Sequence, residues 1–256
     1  MIRFENVTKK LSRKTVLDHI DFEVGAGETF VIVGLSGAGK SVTLKHMSRL
    51  MRPDSGSIFV DGEDIVSMNR SDLQRVREKF GVLFQGAALL QWMTVRENVA
   101  LPLREHTKLS DAEIMKRVDE KLDLLHLEDA GEKFPSDISG GMQKRVGLAR
   151  AIILNPQIVL YDEPTSGLDP VTSRRIDEVM VDMRERLGIT SVVVTHDLHS
   201  ALAIGSRIMM LHEGRIVENA PPAEFIKSKN ATVQSFLESQ YITKKGKWEE
   251  LIYGQV

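Results

Sequence analysis

Gly34-Leu35-Ser36-Gly37-Ala38-Gly39-Lys40-Ser41 fits G-x-x-x-x-G-K-[ST], and reading it as a phosphate-binding loop decides the fold. An apolar run, Thr29 to Val33 (TFVIV), enters the loop, and a helix-like stretch, Ser41 to Leu50, leaves it. That strand–loop–helix context is what the pattern requires. Glycines let successive backbone N–H groups turn inward as a nest, and the helix N-terminus adds positive potential. Gly34, Ser36, Gly37, Ala38 and Gly39 then form the cradle, with Val42 just behind it. Lys40 reaches the β- and γ-phosphates, and the Ser41 hydroxyl is placed to ligate Mg²⁺. The pattern says nucleotide; it does not say what the nucleotide is used for.

The chain has 256 residues, enough for one large α/β domain or two small ones. Its 34 basic and 36 acidic residues leave a net charge of −2, which predicts no polyanion-binding surface. The absence of Cys excludes disulfides and thiolate metal sites. MIRFENVTKK contains no apolar signal core, and no window reaches the ~18 apolar residues of a membrane-spanning helix. The expected location is cytosolic or peripheral.

Outward from the loop, Ile2 to Phe4, Leu17 to Phe22 and Thr29 to Val33 read as strands. Pro53 to Gly56 reads as a turn, Ser57 to Val60 as a strand, Ser71 to Lys79 as a helix, and Gly81 to Phe84 as a buried strand. Strand signal then vanishes from 86 to about 152. Ser110 opens a helix there with Glu113 as a capping box, and Ile114, Val118, Leu122 and Leu125 share one face. This stretch reads as a helical insertion. After Pro156 the alternation resumes: Gln157 to Tyr161, a helix from Val171 to Leu187, Ile189 to Thr195, a helix near His199 to Ala203, and Arg207 to Leu211. Such alternation implies a parallel sheet. The expected division is a domain over 1–228 and a tail over 229–256 with apolar positions Val233, Phe236, Leu237 and Trp248.

Two further segments carry chemistry. Ile158 to Tyr161 is an apolar strand that delivers Asp162 and Glu163 to the C-terminal edge of the sheet, where α/β ligands bind. Asp162 is placed to hold Mg²⁺, and Glu163 to orient or deprotonate a water beside the γ-phosphate. Ser139-Gly140-Gly141 precedes a helix read over Lys144 to Leu154. It is either a second anion site or an N-capping serine with glycines that ease packing.

The order of motifs resembles the ATPase subunit of ABC transporters over about residues 2–225. The elements are the phosphate loop, Gln85 after a strand, Ser139-Gly140-Gly141, Asp162-Glu163, Ser166-Gly167-Leu168-Asp169 and His196. The resemblance implies a P-loop ATPase fold with a RecA-like parallel core, an N-terminal antiparallel β subdomain and an inserted helical subdomain. It implies two copies paired head to tail around two ATP molecules. The phosphate loop of one copy then faces the Ser139-Gly140-Gly141 of the other, which gives the second anion site a function. By position Gln85 resembles the residue that touches Mg²⁺ or water, Glu163 the catalytic base, His196 the γ-phosphate contact and Asp169 the residue joining the two sites. The other histidines receive no role; His126 and His199 read as solvated members of helices. Where the family stacks adenine on an aromatic residue this chain has Leu11, with Val16 on the same side of the base. An aliphatic contact forgoes about 0.5–1.5 kcal/mol of stacking. Val42 and Met142 depart from the usual hydroxyl residue and Gln.

Phe84 to Leu90, Asn98 to Thr107, the Ser-Gly-Gly-Met variant and Ala231 to Leu237 look like the ATPase of Mla (MCE-type) phospholipid transport systems. That likeness implies a second copy of the ATPase, multispan permeases, an MCE-domain protein and, in some systems, a STAS-domain protein. It also implies a site at the cytoplasmic side of the inner membrane and a tail that stabilises the dimer. An importer of a small polar solute, such as an amino acid, is the alternative. A soluble ATPase acting on nucleic acid or ribosomes lacks support: no coiled-coil insertion, no second ATPase unit and no basic stripe are present.

Overall fold

The computed structural model describes residues 1–240. In chain order the elements are β1 (Ile2–Leu11), β2 (Lys14–Val24), β3 (Thr29–Val33), α1 (Lys40–Met47), β4 (Ser55–Val60), β5 (Glu63–Asp64), α2 (Arg70–Arg77) and β6 (Phe80–Leu83). The helical insertion follows: α3 (Val95–His106), α4 (Asp111–Leu124) and α5 (Gly140–Ile152). Then come β7 (Ile158–Asp162), α6 (Pro170–Leu187), β8 (Thr190–Val194), α7 (Leu198–Ile204), β9 (Arg207–His212), β10 (Arg215–Ala220), α8 (Pro222–Phe225) and α9 (Ala231–Ser239).

Two sheets organise these elements. An antiparallel sheet has the order β2-β1-β4-β5, and a six-stranded sheet has the order β10-β9-β3-β8-β7-β6. In the second sheet β9, β3, β8, β7 and β6 run parallel, and β10 closes one edge antiparallel to β9. Strands buried on both faces need continuous apolar runs, and TFVIV and TSVVV supply them. Alternation along each strand divides the core in two. Phe30, Ile32, Leu160, Val192 and Val194 face α1 and the antiparallel sheet, while Val31, Val33, Val159, Tyr161 and Val193 face the helical layer. Phe22 couples the two sheets, with its ring 4.5 Å from Phe4 and 5.4 Å from Phe30.

Several boundaries differ from the sequence reading. β1 continues to Leu11, because bulges after Phe4 and Val7 interrupt its period-two pattern without ending the pairing. β4 begins at Ser55, inside the stretch read as a turn. α5 begins at Gly140, with the Ser139 Oγ accepting the Met142 N–H at 3.3 Å; two glycines of poor helix propensity hide its first turn. His126 lies in the turn after α4 with φ 53°, not in a helix. The Ser110–Glu113 capping box forms as read, and a second joins Thr94 and Glu97 at the start of α3. Val233, Phe236 and Leu237 of α9 are buried in the same cluster as Val33 and Met210. Phe236 and Leu237 are therefore covered by their own chain, and Trp248 lies outside the described residues.

Candidate active site

A cavity of about 730 Å³ opens at the C-terminal edge of the parallel sheet. Its base is the loop between β3 and α1, of which Gly34, Leu35, Ser36, Gly37, Gly39, Lys40, Ser41 and Val42 line the space. Ala38 is turned inward and buried. Gly34 takes φ 147°, and a Cβ there would stand 2.3 Å from the Leu211 carbonyl oxygen. At Gly39, φ is 107° and a Cβ would meet the Val16 carbonyl at 2.7 Å. Only glycine permits this close backbone path.

Lys40 is buried, and its Nζ donates to the carbonyls of Gly34 at 2.8 Å and Leu35 at 3.2 Å. Burial pushes its pKa down, opposed by the nearby carboxylates of Glu163 and Asp162. The Ser41 hydroxyl donates to Asp162 Oδ1 at 2.8 Å, so the two residues read as Mg²⁺ ligands already share one hydrogen bond. Glu163 follows at the end of β7 with φ 51°, a left-handed conformation that few non-glycine residues adopt. Its Oε1 lies 3.9 Å from Lys40 Nζ, and its Oε2 lies 2.8 Å from His196 Nδ1. A carboxylate only accepts, so Nδ1 carries the hydrogen there. Gln85 lies across the cavity and donates to the Ser166 hydroxyl at 3.5 Å.

Leu11 and Val16 line the same cavity, so the residues read as the base contact do sit beside the phosphate loop. The remaining four do not. Ser139 and Gly140 are exposed at the start of α5 and Asp169 is exposed at the start of α6; none of these three, nor Gly141, lines the cavity. Gly141 is buried, and a Cβ there would strike Thr172 at 2.3 Å, so this glycine lets α5 approach α6. The Asp169 carboxylate accepts the N–H groups of Val171 and Thr172, each at 3.0 Å, as the N-cap of α6.

Sequence reasoning missed three contributors. Phe236 and Gln240, at the end of the chain's described part, line the cavity beside His196. Lys144 is buried on α5 and bonds the backbone carbonyls of Gln85 and Glu163. A lysine on the otherwise apolar 141/144/148/152 face of the helix was the available signal.

The donors present suit Mg²⁺: one hydroxyl, one carboxylate and one amide oxygen, all hard ligands, with phosphate oxygens to complete the shell. Among the described residues no group of three or more His, Asp or Glu forms a self-sufficient metal site.

Residues 17–166 match the family model described as ABC transporter. The probable ribonucleotide transport ATP-binding protein mkl of Mycobacterium leprae is 41% identical over 249 residues, spanning 97% of this chain and 72% of that protein. The methionine import ATP-binding protein MetN of Halalkalibacterium halodurans is 39% identical, spanning 93% of this chain and 71% of that protein. Among solved structures, cbiO1 of Clostridium perfringens, part of the cbiONQ ABC transporter complex, superposes with a TM-score of 0.83 at 28% identity over 98% of both chains. The ATP-binding cassette MJ0796, as a dimer bound to ADP and Pi, gives 0.80 at 34% identity, covering 87% of this chain and 99% of that one.

Proposed function

Since the chain belongs to the ABC transporter family and is an ATP-hydrolysing cassette, we propose that it powers phospholipid movement between the inner membrane and the periplasm. Its partners in this reading are a second copy of itself, multispan permeases and an MCE-domain protein. Among the described residues no helix is long and apolar enough to cross a membrane, so the permeases supply the spans.

One observation carries the choice of lipid. Two of the segments that look like Mla-type ATPases, Phe84 to Leu90 and Asn98 to Thr107, are seven residues apart in the chain, and both contribute to one groove of about 530 Å³. Phe84 comes from the first, and Leu101, Pro102, Glu105 and His106 come from the second. Phe84 is partly exposed and Trp92, nearby in sequence, is more so. In this reading the groove is a surface for a permease element. A second reading, import of a ribonucleotide or of methionine, is favoured by the names of the relatives.

The catalytic roles follow from the cavity. Loop N–H groups and Lys40 hold the ATP phosphates, and phosphate oxygens replace Gly34 and Leu35 as acceptors for Lys40. Ser41, Asp162 and Gln85 would hold Mg²⁺, which neutralises charge on the phosphates. Glu163 orients and deprotonates the attacking water. His196, held by Glu163, presents its other ring nitrogen to the γ-phosphate side. Leu11 and Val16 cover the base. Ser139, Gly140, Gly141 and Asp169 are not part of this cavity's lining, and in this reading they act on the nucleotide of the second copy. ATP bound by both copies closes the dimer, hydrolysis removes the shared contact, and the helical insertions convey the change to the permeases.

The test is a pull-down of Glu163→Gln from native membranes with ATP, with mass spectrometry of copurifying proteins and lipids. An MCE-domain protein, a permease and phospholipid are the expected set. A solute-binding protein in place of the MCE protein moves the substrate to a small polar molecule. Brisk hydrolysis by Glu163→Gln removes Glu163 from the role of base.

A further inference from the structure

Lys144 is an uncommon kind of lysine. It is only 6% exposed, and among the described residues its ammonium pairs with no carboxylate. Its partners are two backbone carbonyls, that of Gln85 and, at 3.3 Å, that of Glu163. Burying an ammonium is costly, and an apolar side chain between Gly141 and Leu148 would pack this face of α5 without that cost. Burial does push its pKa down, while the carboxylates of Glu163 and Asp162 favour the charged form. A residue kept at such cost is accounted for by what it holds.

It holds the two ends that matter. Gln85 and Glu163 follow the adjacent parallel strands β6 and β7. Glu163 sits at φ 51°, a conformation that persists only where the surroundings over-determine it. Its N–H donates to Val194 at 2.9 Å, and its carbonyl accepts both Ser166 N–H at 3.2 Å and Lys144. Those bonds fix the peptide planes on both sides of its Cα, and thereby aim the carboxylate at His196 and Lys40. Lys144 is also five residues from Ser139, on the same helix. The helix whose first turn is offered to a second copy thus carries the cation that holds its own chain's Gln85 and Glu163.

We propose that Lys144 is a positioning residue for ATP hydrolysis, fixing the backbones of Gln85 and Glu163 and tying both to helix α5. This rests on the reading of Glu163 as the base. The site it orders is then sensitive to any tilt of α5, so engagement of Ser139-Gly140-Gly141 by the partner's nucleotide is felt at Glu163 without a further linkage.

The test uses the full chain with MgATP and compares Lys144→Met, Lys144→Arg and Glu163→Gln. Lys144→Met is expected to lower kcat about a hundredfold, with KM for ATP within about threefold, as for a displaced but intact site. Lys144→Arg, which keeps the cation and its donors, is expected to recover at least about a tenth of the parental kcat. Independently of turnover, amide exchange without nucleotide should quicken at 85–88 and 163–166 in Lys144→Met and stay unchanged in β3, β8 and β9. Should Lys144→Met fail to fold, Lys144→Gln carries the same measurements. Parental kcat with unchanged exchange overturns the proposal, as does a uniform rise in exchange with kcat and KM lost together. If Glu163→Gln is inactive while Lys144→Met is not impaired, only the role of Lys144 falls; if Glu163→Gln turns over at the parental rate, the reading beneath it falls as well.

Discussion

Asn98→Leu should cost the fold about 2–3 kcal/mol, at about 1 kcal/mol per buried hydrogen bond, although Asn98 touches neither cavity nor parallel sheet. Asn98 is fully buried on α3. Its Oδ1 accepts the Leu90 N–H at 2.8 Å. Its Nδ2 donates to the carbonyls of Leu90, Met93 and Thr94 at 3.0, 3.1 and 2.9 Å. One amide therefore closes the whole connection from Leu90 to the Thr94 cap and holds Trp92 outward, 73% exposed. Two Nδ2 hydrogens serve three carbonyls, and Thr94 also accepts the helical Asn98 N–H, so about three independent bonds are lost rather than four. Leucine fills the same volume, which removes the cavity penalty and leaves the polar loss alone. Asn98→Asp should be worse than Asn98→Leu near pH 7.5, because a second carboxylate oxygen would face three carbonyl oxygens without a hydrogen to give. Protonation restores one donor, so that excess should shrink as the pH falls towards about 5. Urea unfolding followed by far-ultraviolet circular dichroism measures both quantities. The loop is used for docking in our reading, so permease copurification should weaken while ATP binding by the isolated chain stays at the parental level. An Asn98→Leu variant within about 0.5 kcal/mol of the parent, the range of an ordinary surface change, would refute the reasoning. So would an Asn98→Asp variant as stable as Asn98→Leu at neutral pH.

Two more predictions concern the cavity and its neighbour. Leu11 is 40% exposed at the rim, so Leu11→Tyr adds a stacking face and should tighten ATP binding about three- to tenfold, as read by titration calorimetry; an unchanged Kd would take Leu11 out of the base contact. Asp177, bonded by the Ser200 hydroxyl at 2.6 Å, has its pKa raised by burial to about 6. The folded state then binds its proton more tightly than the unfolded chain does. Stability from this group is present below the ordinary carboxylate range near 3.8 and is lost as the pH rises through about 6. Asp177→Asn keeps an acceptor for Ser200 and removes the charge. It should match the parent near pH 4 and gain roughly 1–2 kcal/mol on it by pH 7, a figure reduced for the group's partial exposure. A gain that is the same at both pH values would show that the carboxylate's charge is not its source.

What was legible in the sequence was what neighbouring residues determine. TFVIV, IVLYD and SVVV announce strands buried on both faces because no other element needs such runs. The glycines at 34 and 39 announce a backbone that must turn where a Cβ would collide, and Ser110 with Glu113 announces a helix start. Each signal lies within a few residues, and the elements so announced have the type that was read, whereas α3, β5 and α8 carried no such signal. Extents were lost where local rules conflict. β1 runs to Leu11 through bulges that reset its alternation, and α5 opens on two glycines that propensity disfavours but Ser139 caps. Phe236 shows the next limit: its spacing says that one face of α9 is buried, but not that the face turns towards the chain's own cavity.

The harder cases are polar residues whose partners are backbone atoms far away in sequence. Lys144 bonds residues 59 and 19 positions distant, and nothing in its own helix identifies them. Asn98 was read only as part of a family-like phrase, whereas its work is to satisfy carbonyls that would otherwise be stranded. Ser139, Gly140, Gly141 and Asp169 pose the opposite problem. They fit a phosphate-site pattern in the sequence, yet the chain alone does not bring them to its phosphate loop. Gly141 has a local packing role against Thr172, Ser139 caps α5 and Asp169 caps α6, while Ser139 and Gly140 stay exposed at the helix N-terminus. In our reading that turn serves the nucleotide of a second copy, because a helix N-terminus favours an anion. In our reading the cavity and the Ser139-Gly140 turn are completed by a second copy turned head to tail, and on that reading dimerisation is a requirement of the catalytic geometry.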